Sequence, residues 1–400
     1  MSNISRTNTT SNALAAPLSS SASYHAFLED IACLGVAPTV AGPSEMAFGL
    51  FRARSNDRYW LVPLTPRSAT KAGFGMLQPV TRSAGLAKRA ARLAIDLRLD
   101  ALWARQIVYL SALPSLPVAF PETIGAVSYF TGTDGPHRKT TVQIMTQTGA
   151  IMGYGKLTRN AEIAQYLSAE AKALDRVGQM KLHSVDIPRL LGEGMVEGAR
   201  WIVTDSRRGK TMRVRTDLTQ MHVAFVQEMV DRTKCADDTE TLAKMFAQSE
   251  SAANPEWARR FLLARVLVSR WKEDIETSLA HGDLTPWNCF TDSVGLYVFD
   301  WEYSREAVPV GFDLVHFLLS CPADTSVYGE NERVLAHLAE VHFMRDLQRA
   351  RRHYFLALMA HASFYQDRQI RVGAAANGWS HAERYARLID AMLSDVGSEF

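Results

Sequence analysis

The stretch His281-Gly282-Asp283-Leu284-Thr285-Pro286-Trp287-Asn288 decides how the rest of the chain is read. Gly282 and Pro286 interrupt helical periodicity, so the segment is a loop. An acid and an amide five residues apart on one loop, Asp283 and Asn288, can converge on a single site. Twelve residues past Asn288 stands Asp300, at the end of the apolar run Leu296-Tyr297-Val298-Phe299. The turn Asp292-Ser293-Val294-Gly295 folds that run back beside the one leaving Asn288. A hairpin over 288–300 therefore brings Asn288 and Asp300 to the same open end. Amide and carboxylate oxygens suit Mg2+, which takes few protein ligands and leaves positions for phosphate and water. Asp283 is then left to orient an acceptor hydroxyl or take its proton, the arrangement of a phosphoryl-transfer site. Each residue alone reads more simply as a turn or a cap; the shared spacing and strand context carry the chemistry.

Working outward, residues 254–279 read as a long apolar-faced helix leading into the loop. Residues 218–233, 239–249, 312–320, 331–348, 350–366 and 380–396 read as further helices. Before Lys210 the texture changes. Strands are expected at 128–131, 140–146 and 151–157, with Thr148-Gly149 turning between the last two. Ile163, Leu167, Ala171 and Leu174 form one face of a helix over 160–176. An extended segment at 185–191 and a strand at 200–205 follow. Further upstream, Tyr24 to Gly35 reads as a short helix. Glu45 to Arg54 and Arg58 to Leu64 read as strands across Ser55-Asn56-Asp57. Residues 84–105 carry both helical spacing (Leu86, Ala90, Leu93, Leu97) and strand alternation. A helix ending within this stretch is expected, with Lys88, Arg89 and Arg92 on its exposed side. The fold class is α+β: a β-rich N-lobe with an N-terminal extension, then a mainly helical C-lobe. The divisions are a disordered tail at 1–23, the extension at 24–124, the core of the N-lobe at 125–210 and the C-lobe at 211–400.

Composition sets outer limits. The chain has 400 residues, 44 Lys plus Arg against 42 Asp plus Glu, and a formal charge of +2. That balance excludes a global polycation, so nucleic acid is not an expected partner. Residues 1–23 hold seven Ser, three Thr and three Asn with Arg6 as the only charge, too little apolar area to offset ordering. Cys33, Cys235, Cys289 and Cys321 form no C-x-x-C pair, which fits a reduced, cytoplasmic protein better than a zinc site or a disulfide framework. No run of about 18 apolar residues marks an integral membrane segment. No Gly-x-Ser-x-Gly elbow marks a serine hydrolase.

The loop and hairpin resemble the catalytic core of the aminoglycoside phosphotransferase and choline kinase group of the kinase-like superfamily. The group carries His-x-Asp-x-x-x-x-Asn, matched by His281, Asp283 and Asn288. A hairpin later it carries an Asp followed by a second acid, matched by Asp300-Trp301-Glu302. Gly282 after His281, and the Asp300-x-Glu302 form, differ from protein kinases, which use Arg after His and Asp-Phe-Gly. Gly311-Phe312-Asp313-Leu314 also resembles the group, with Asp313 as a helix cap or structural acid.

The resemblance implies a two-lobed protein-kinase-like fold and a phosphotransferase using ATP (GTP being the other candidate donor) with Mg2+. Asp283 would be the catalytic acid-base group, and Asn288 and Asp300 the metal holders. His281 would brace the loop through hydrogen bonds. A lysine ending a strand should reach the nucleotide phosphates, and Lys156 stands there. A glutamate on the next helix should hold that lysine, and Glu170 does so better than Glu162, which is too near the helix start. A glycine turn should cover the nucleotide, here Thr131 to Pro136 with Gly132 and Gly135. Backbone groups from Thr204 to Ser206 should meet the base. The acceptor would be a small-molecule hydroxyl on a sugar, an aminoglycoside or a choline-like amine. The competing reading is a catalytically silent kinase-like module that binds nucleotide or serves as a scaffold.

Overall fold

The computed structural model describes residues 21–42, 44–52, 58–76, 82–97, 106–132, 137–209, 211–236, 239–321, 326–371, 379 and 381–394. Of the tail expected at 1–23, residues 1–20 lie outside these residues, as do the turn at 55–57 and Gly135. Ser21 to Ser23 are not tail: they start the first helix, which the Ser21 side chain caps, and Ser21 and Ser23 are buried. The chain divides into two compact units. The first runs to Ser168 and takes in Arg189–Ser206; the second comprises Ala169–Pro188 and everything from Arg207 onward.

The first unit begins with α1 (Ala22–Ala32), whose N-cap Ser21 accepts from the Tyr24 amide at 3.1 Å. Nine strands follow in one sheet: β1 (Pro38–Thr39), β2 (Met46–Arg52), β3 (Tyr59–Pro63), β4 (Ile107–Leu110), β5 (Ala126–Phe130), β6 (Thr140–Met145), β7 (Ile151–Thr158), β8 (Leu190–Val196) and β9 (Ala199–Asp205). Their order across the sheet is β1-β4-β2-β3-β5-β6-β7-β9-β8, and neighbours pair antiparallel. Strands from 24–124 thus continue the sheet edge-on through the β3–β5 pairing, Trp60 opposite Phe130.

Alternation decides which side chains go inside. Phe48, Leu50, Leu61, Val127, Tyr129, Val142, Ile144, Leu157 and Val203 meet Phe27 and Ile31 of α1 on one face. On the other face, Val62 packs with Phe74 and Ile95, and Ala126 and Met145 pack with Ala69. These partners come from α2 (Arg67–Gly73), the turn after it, and α3 (Arg82–Asp96). The ambiguous stretch is therefore a helix, but turned differently from the expected way. Leu86, Leu93 and Leu97 are exposed (65%, 59%, 59%), while Ala94 and Ile95 are buried. Arg89 is exposed, Lys88 is half-buried, and the Arg92 side chain lies outside the described residues. Leucine spacing alone could not tell which of two apolar stripes would meet Val62 and Phe74.

A 20-residue helix, α4 (Ala161–Met180), joins the units, the division falling after Ser168. The second unit is mainly helical: α5 (Gln220–Thr233), α6 (Thr239–Ala252), α7 (Pro255–Arg270), α8 (Phe312–Ser320), α9 (Val327–His342), α10 (Leu347–Arg371) and α11 (Ala382–Ser394). Two small antiparallel pairs interrupt them: β10 (Thr277–Ala280) with β13 (Arg305–Pro309), and β11 (Cys289–Thr291) with β12 (Leu296–Val298).

The helix expected over 254–279 stops at Arg270, capped at its start by Asn254 and Pro255. Residues 277–280 are a strand instead. Their amides and carbonyls are taken by distant partners: Cys235 exchanges two hydrogen bonds with Thr277, and β13 pairs along the other side. Tertiary pairing overrides the local helical pattern there.

Candidate functional site

The loop 281–288 leaves β10 and is held from several sides within the second unit. Asp313, in the first turn of α8, accepts from the amides of His281 at 2.7 Å and Gly282 at 3.0 Å. Burial pushes its carboxyl up, against the pull of His281, those two amides and His316. The N-cap of α8 is Gly311, so Asp313 serves the loop rather than its own helix. His281 is fully buried, and its Nε2 lies 3.0 Å from the Phe299 carbonyl while its Nδ1 accepts from the Asp283 amide at 3.2 Å. A ring that accepts at Nδ1 carries its proton on Nε2, which donates to Phe299. His281 thus ties the loop to the hairpin, as expected for a brace. Gly282 has φ +87°, and a Cβ there would sit 1.9 Å from the Tyr303 carbonyl oxygen. Both the left-handed backbone and the close approach require glycine.

The hairpin β11–β12 has the predicted geometry. Cys289 stands opposite Val298, and the Phe299 amide donates to the Asn288 carbonyl at 3.2 Å. Asp292 organises its turn by accepting from Val294 and Gly295. Asp186 extends the pair on one side and Arg213 on the other. Asp300, next in chain, adopts φ 69°, ψ 59°. A non-glycine residue in this region is uncommon, and Asp is among the few that tolerate it.

Asp283 has a donor at each carboxylate oxygen. Asn288 Nδ2 donates to Oδ2 at 2.9 Å and to the Asp283 carbonyl at 3.0 Å. His316 Nε2 lies 3.0 Å from Oδ1. With Nδ2 committed to Asp283, the amide oxygen is the Asn288 atom suited to a cation. Asp300 meets two other acids: Glu170 of α4, Asp300 and Glu302 offer carboxylate oxygens all within 4.8 Å of one another. Three carboxylates this close repel unless positive charge joins them, and an all-oxygen donor set fits a hard divalent cation such as Mg2+.

The remaining expected residues fall in the first unit, apart from Glu170. Lys156 lies on β7 between Thr141 and Ile202, on the sheet face opposite that of Leu157 and Val203. Thr204 is buried near the end of β9, opposite Tyr154, and Ser206 is the last residue before the division between units. Between them, Asp205 accepts from the Arg189 amide at 2.6 Å and its Nε at 2.7 Å. Gly132 has φ +89°, and a Cβ would lie 2.3 Å from the Lys139 carbonyl oxygen, so that bend also requires glycine. Arg138 braces the bend, donating to the Thr131 carbonyl at 2.7 Å and pairing with Asp30 of α1 at 2.6 Å. Thr140 donates to the same Asp30 oxygen at 2.7 Å. Burial nonetheless raises Asp30 more than Arg138 and Thr140 lower it.

Sequence reasoning missed three features: the role of Asp313 toward the loop, the approach of Glu170 to Asp300 and Glu302, and His316 altogether. His316 sits three residues after Asp313 on a helix buried on nearly every side, so no periodicity set it apart.

A family described as "Phosphotransferase enzyme family" (APH) matches residues 154–353, half of the chain. No curated protein sequence matches the chain. Solved structures are similar at low identity. The GDP and kanamycin complex of APH(2")-IIia shares 15% identity, covering 70% of this chain and 96% of that one, with TM-score 0.43. A thermostable mutant of the aminoglycoside phosphotransferase APH(4)-Ia, with ADP and hygromycin B, shares 11% over 70% and 96%, with TM-score 0.45. A protein described as a fructosamine-3-kinase from Haemophilus somnus shares 12% over 64% and 87%, with TM-score 0.41. Similarity at this level says nothing of which molecule this chain acts on.

Proposed function

Because the chain belongs to the phosphotransferase enzyme family, we propose that it moves the γ-phosphate of ATP to a hydroxyl group of a small molecule. The observation that carries this reading is Asp283, its two carboxylate oxygens each held by a side-chain donor. Its loop is bonded to the carbonyl of Phe299, the neighbour of Asp300. Phosphoryl transfer needs positioning and charge neutralisation more than covalent help from the protein. Asp283 orients the acceptor hydroxyl and takes its proton. Asn288 and Asp300 hold Mg2+, with Glu302 and Glu170 adding carboxylates nearby. The cation, when bound, neutralises charge on the nucleotide phosphates.

Lys156 is assigned to the phosphates with Glu170 as its brace, Gly132 and Gly135 to close backbone approach, and Thr204 and Ser206 to the base. Sugars, aminoglycosides and choline-like amines are the acceptor classes, and GTP is the alternative donor. Free thiols at Cys33, Cys235, Cys289 and Cys321 agree with a cytoplasmic setting. Among the described residues no helix is long and apolar enough to cross a membrane.

Labelled ATP and Mg2+ incubated with the protein and a metabolite extract should place label on one hydroxyl compound, identified by mass spectrometry. No transfer in any extract, together with an ATP-dependent thermal shift, would instead mark a silent nucleotide-binding module.

A further inference from the structure

His316 reaches Asp283 from α8, outside every motif the sequence offers. The residue is buried, 5% exposed. It stacks on His361 of α10, with ring centroids 4.7 Å apart and planes 23° apart. His361 is itself pinned, Nε2 lying 3.1 Å from the Phe312 carbonyl. Burial pushes His361 well below the ordinary imidazole range, so it is a neutral support.

The contact at 3.0 Å defines the His316 tautomer. An ionised carboxylate only accepts hydrogen bonds, so the proton must be on Nε2. His316 Nδ1 is buried and meets no hydrogen-bond partner among the described residues. Nε2–H therefore aims at Oδ1, opposite the Asn288 donor on Oδ2.

We propose that His316 is a positioning residue for phosphate transfer: it and Asn288 clamp the Asp283 carboxylate from both oxygens. This rests on the reading of Asp283 above. In the step it serves, the acceptor oxygen forms a bond to the γ-phosphorus, and the bond to the β,γ-bridging oxygen breaks. The electron pair leaves on ADP, and the acceptor proton goes to Asp283. A carboxylate has about four lone-pair sites, so two fixed donors still leave room for that proton. What the clamp removes is rotation of the carboxylate, and misplacement of a reacting group is expensive in rate.

The test compares His316→Leu, which removes the donor, with His316→Gln, whose side-chain amide can replace Nε2–H, and with Asp283→Ala. Turnover of ATP·Mg2+ is followed with water as acceptor, alongside ATP affinity and thermal unfolding. His316→Leu should lower kcat about tenfold to a hundredfold, as loss of an orienting partner typically does, with KM for ATP nearly unchanged. His316→Gln should recover most of that loss although both variants remain folded. In 15N spectra of the parent, His316 should show the Nε2–H tautomer. Parent kcat in His316→Leu, a Gln variant no better than Leu, or an Nδ1–H tautomer would each overturn the inference. If His316→Leu keeps parent kcat while Asp283→Ala is inactive, the clamp alone fails. If Asp283→Ala also keeps parent kcat, the reading of the site fails with it.

Discussion

Both compact units bury tyrosines, but among the described residues only the helical unit buries histidines. The sheet unit buries tyrosines and one ion pair: burial pushes Tyr24 up to about 12 and Tyr129 higher still, and Asp30 is paired with Arg138. The helical unit buries tyrosines too, Tyr354 and Tyr385 among them, and adds buried histidines. Burial pushes His222, His342 and His353 each down to about 4. A buried phenol stays neutral across ordinary pH, whereas a buried imidazole stays neutral only until acid charges it. The lesson is that the unit carrying the loop is also the unit whose packing responds to acid.

The comparison can be broken most severely at the site itself. Asp283→Ala and Asp300→Ala should each lower transfer about 10²- to 10⁴-fold, the range of a lost acid-base or charge-holding group. Circular dichroism should remain that of the parent, since Asp283 is partly exposed and Asp300 lies in a turn. Parent-level transfer by either variant would remove its residue from the mechanism.

In the sheet unit, Arg138→Met strands the Asp30 carboxyl and removes the donor to Thr131. It should cost about 3–5 kcal/mol in urea unfolding, as for a broken buried pair. Adding Asp30→Asn should restore part of that loss. If Arg138→Met unfolds like the parent, the ion pair does not hold the Gly132 bend.

Acid should separate the units next. His222, His342 and His353 have folded values near 4 against an ordinary 6.5. For a depressed group, the stabilisation is present above the unfolded value and is lost as pH falls through the folded one. The helical unit should therefore weaken between about pH 6.5 and pH 4, by on the order of 1–3 kcal/mol for each of the three histidines. Asp30 and Asp313, raised by burial, run the other way, because protonation favours their folded form. The sheet unit has Asp30 and no such histidines, so amide exchange should accelerate first in the helices as pH drops. Equal acceleration in both units would contradict the contrast.

The smallest effect should be shared. Ser21 caps α1 in the sheet unit and Asn254 caps α7 in the helical unit, each accepting from an amide three residues on. Ser21→Ala and Asn254→Ala should each cost about 1 kcal/mol in thermal or denaturant unfolding. Similar costs would show that the units differ in buried ionisation and not in how their helices start.

Legibility followed sequence distance. The loop, the hairpin and the turns lie within about twenty consecutive residues, and local chemistry forms them: Gly282 at a positive φ, Asp292 accepting from its own turn, and the continuous apolar run Leu296 to Phe299. The helix over 312–320 was legible to the residue, because its apolar run is bounded by Gly311 and Cys321. The strand at 277–280 was not, because its partners, Cys235 and β13, are distant and supply the pairing that its own sequence does not announce. On α3, two apolar stripes competed, and only contact with Val62 and Phe74 selected the one holding Ile95.

Near-neighbour chemistry along the chain set the α+β class, the phosphotransferase-like loop and the hairpin that bonds Asn288 to Phe299, next to Asp300. Those follow from hydrogen bonds and backbone preferences between near neighbours in the chain. Long-range packing set the rest: Asp313 holding the loop amides, Glu170 joining Asp300 and Glu302, and His316 reaching Asp283. Each of these joins residues more than 30 positions apart, and their meeting is fixed by how helices pack rather than by any pattern either segment carries.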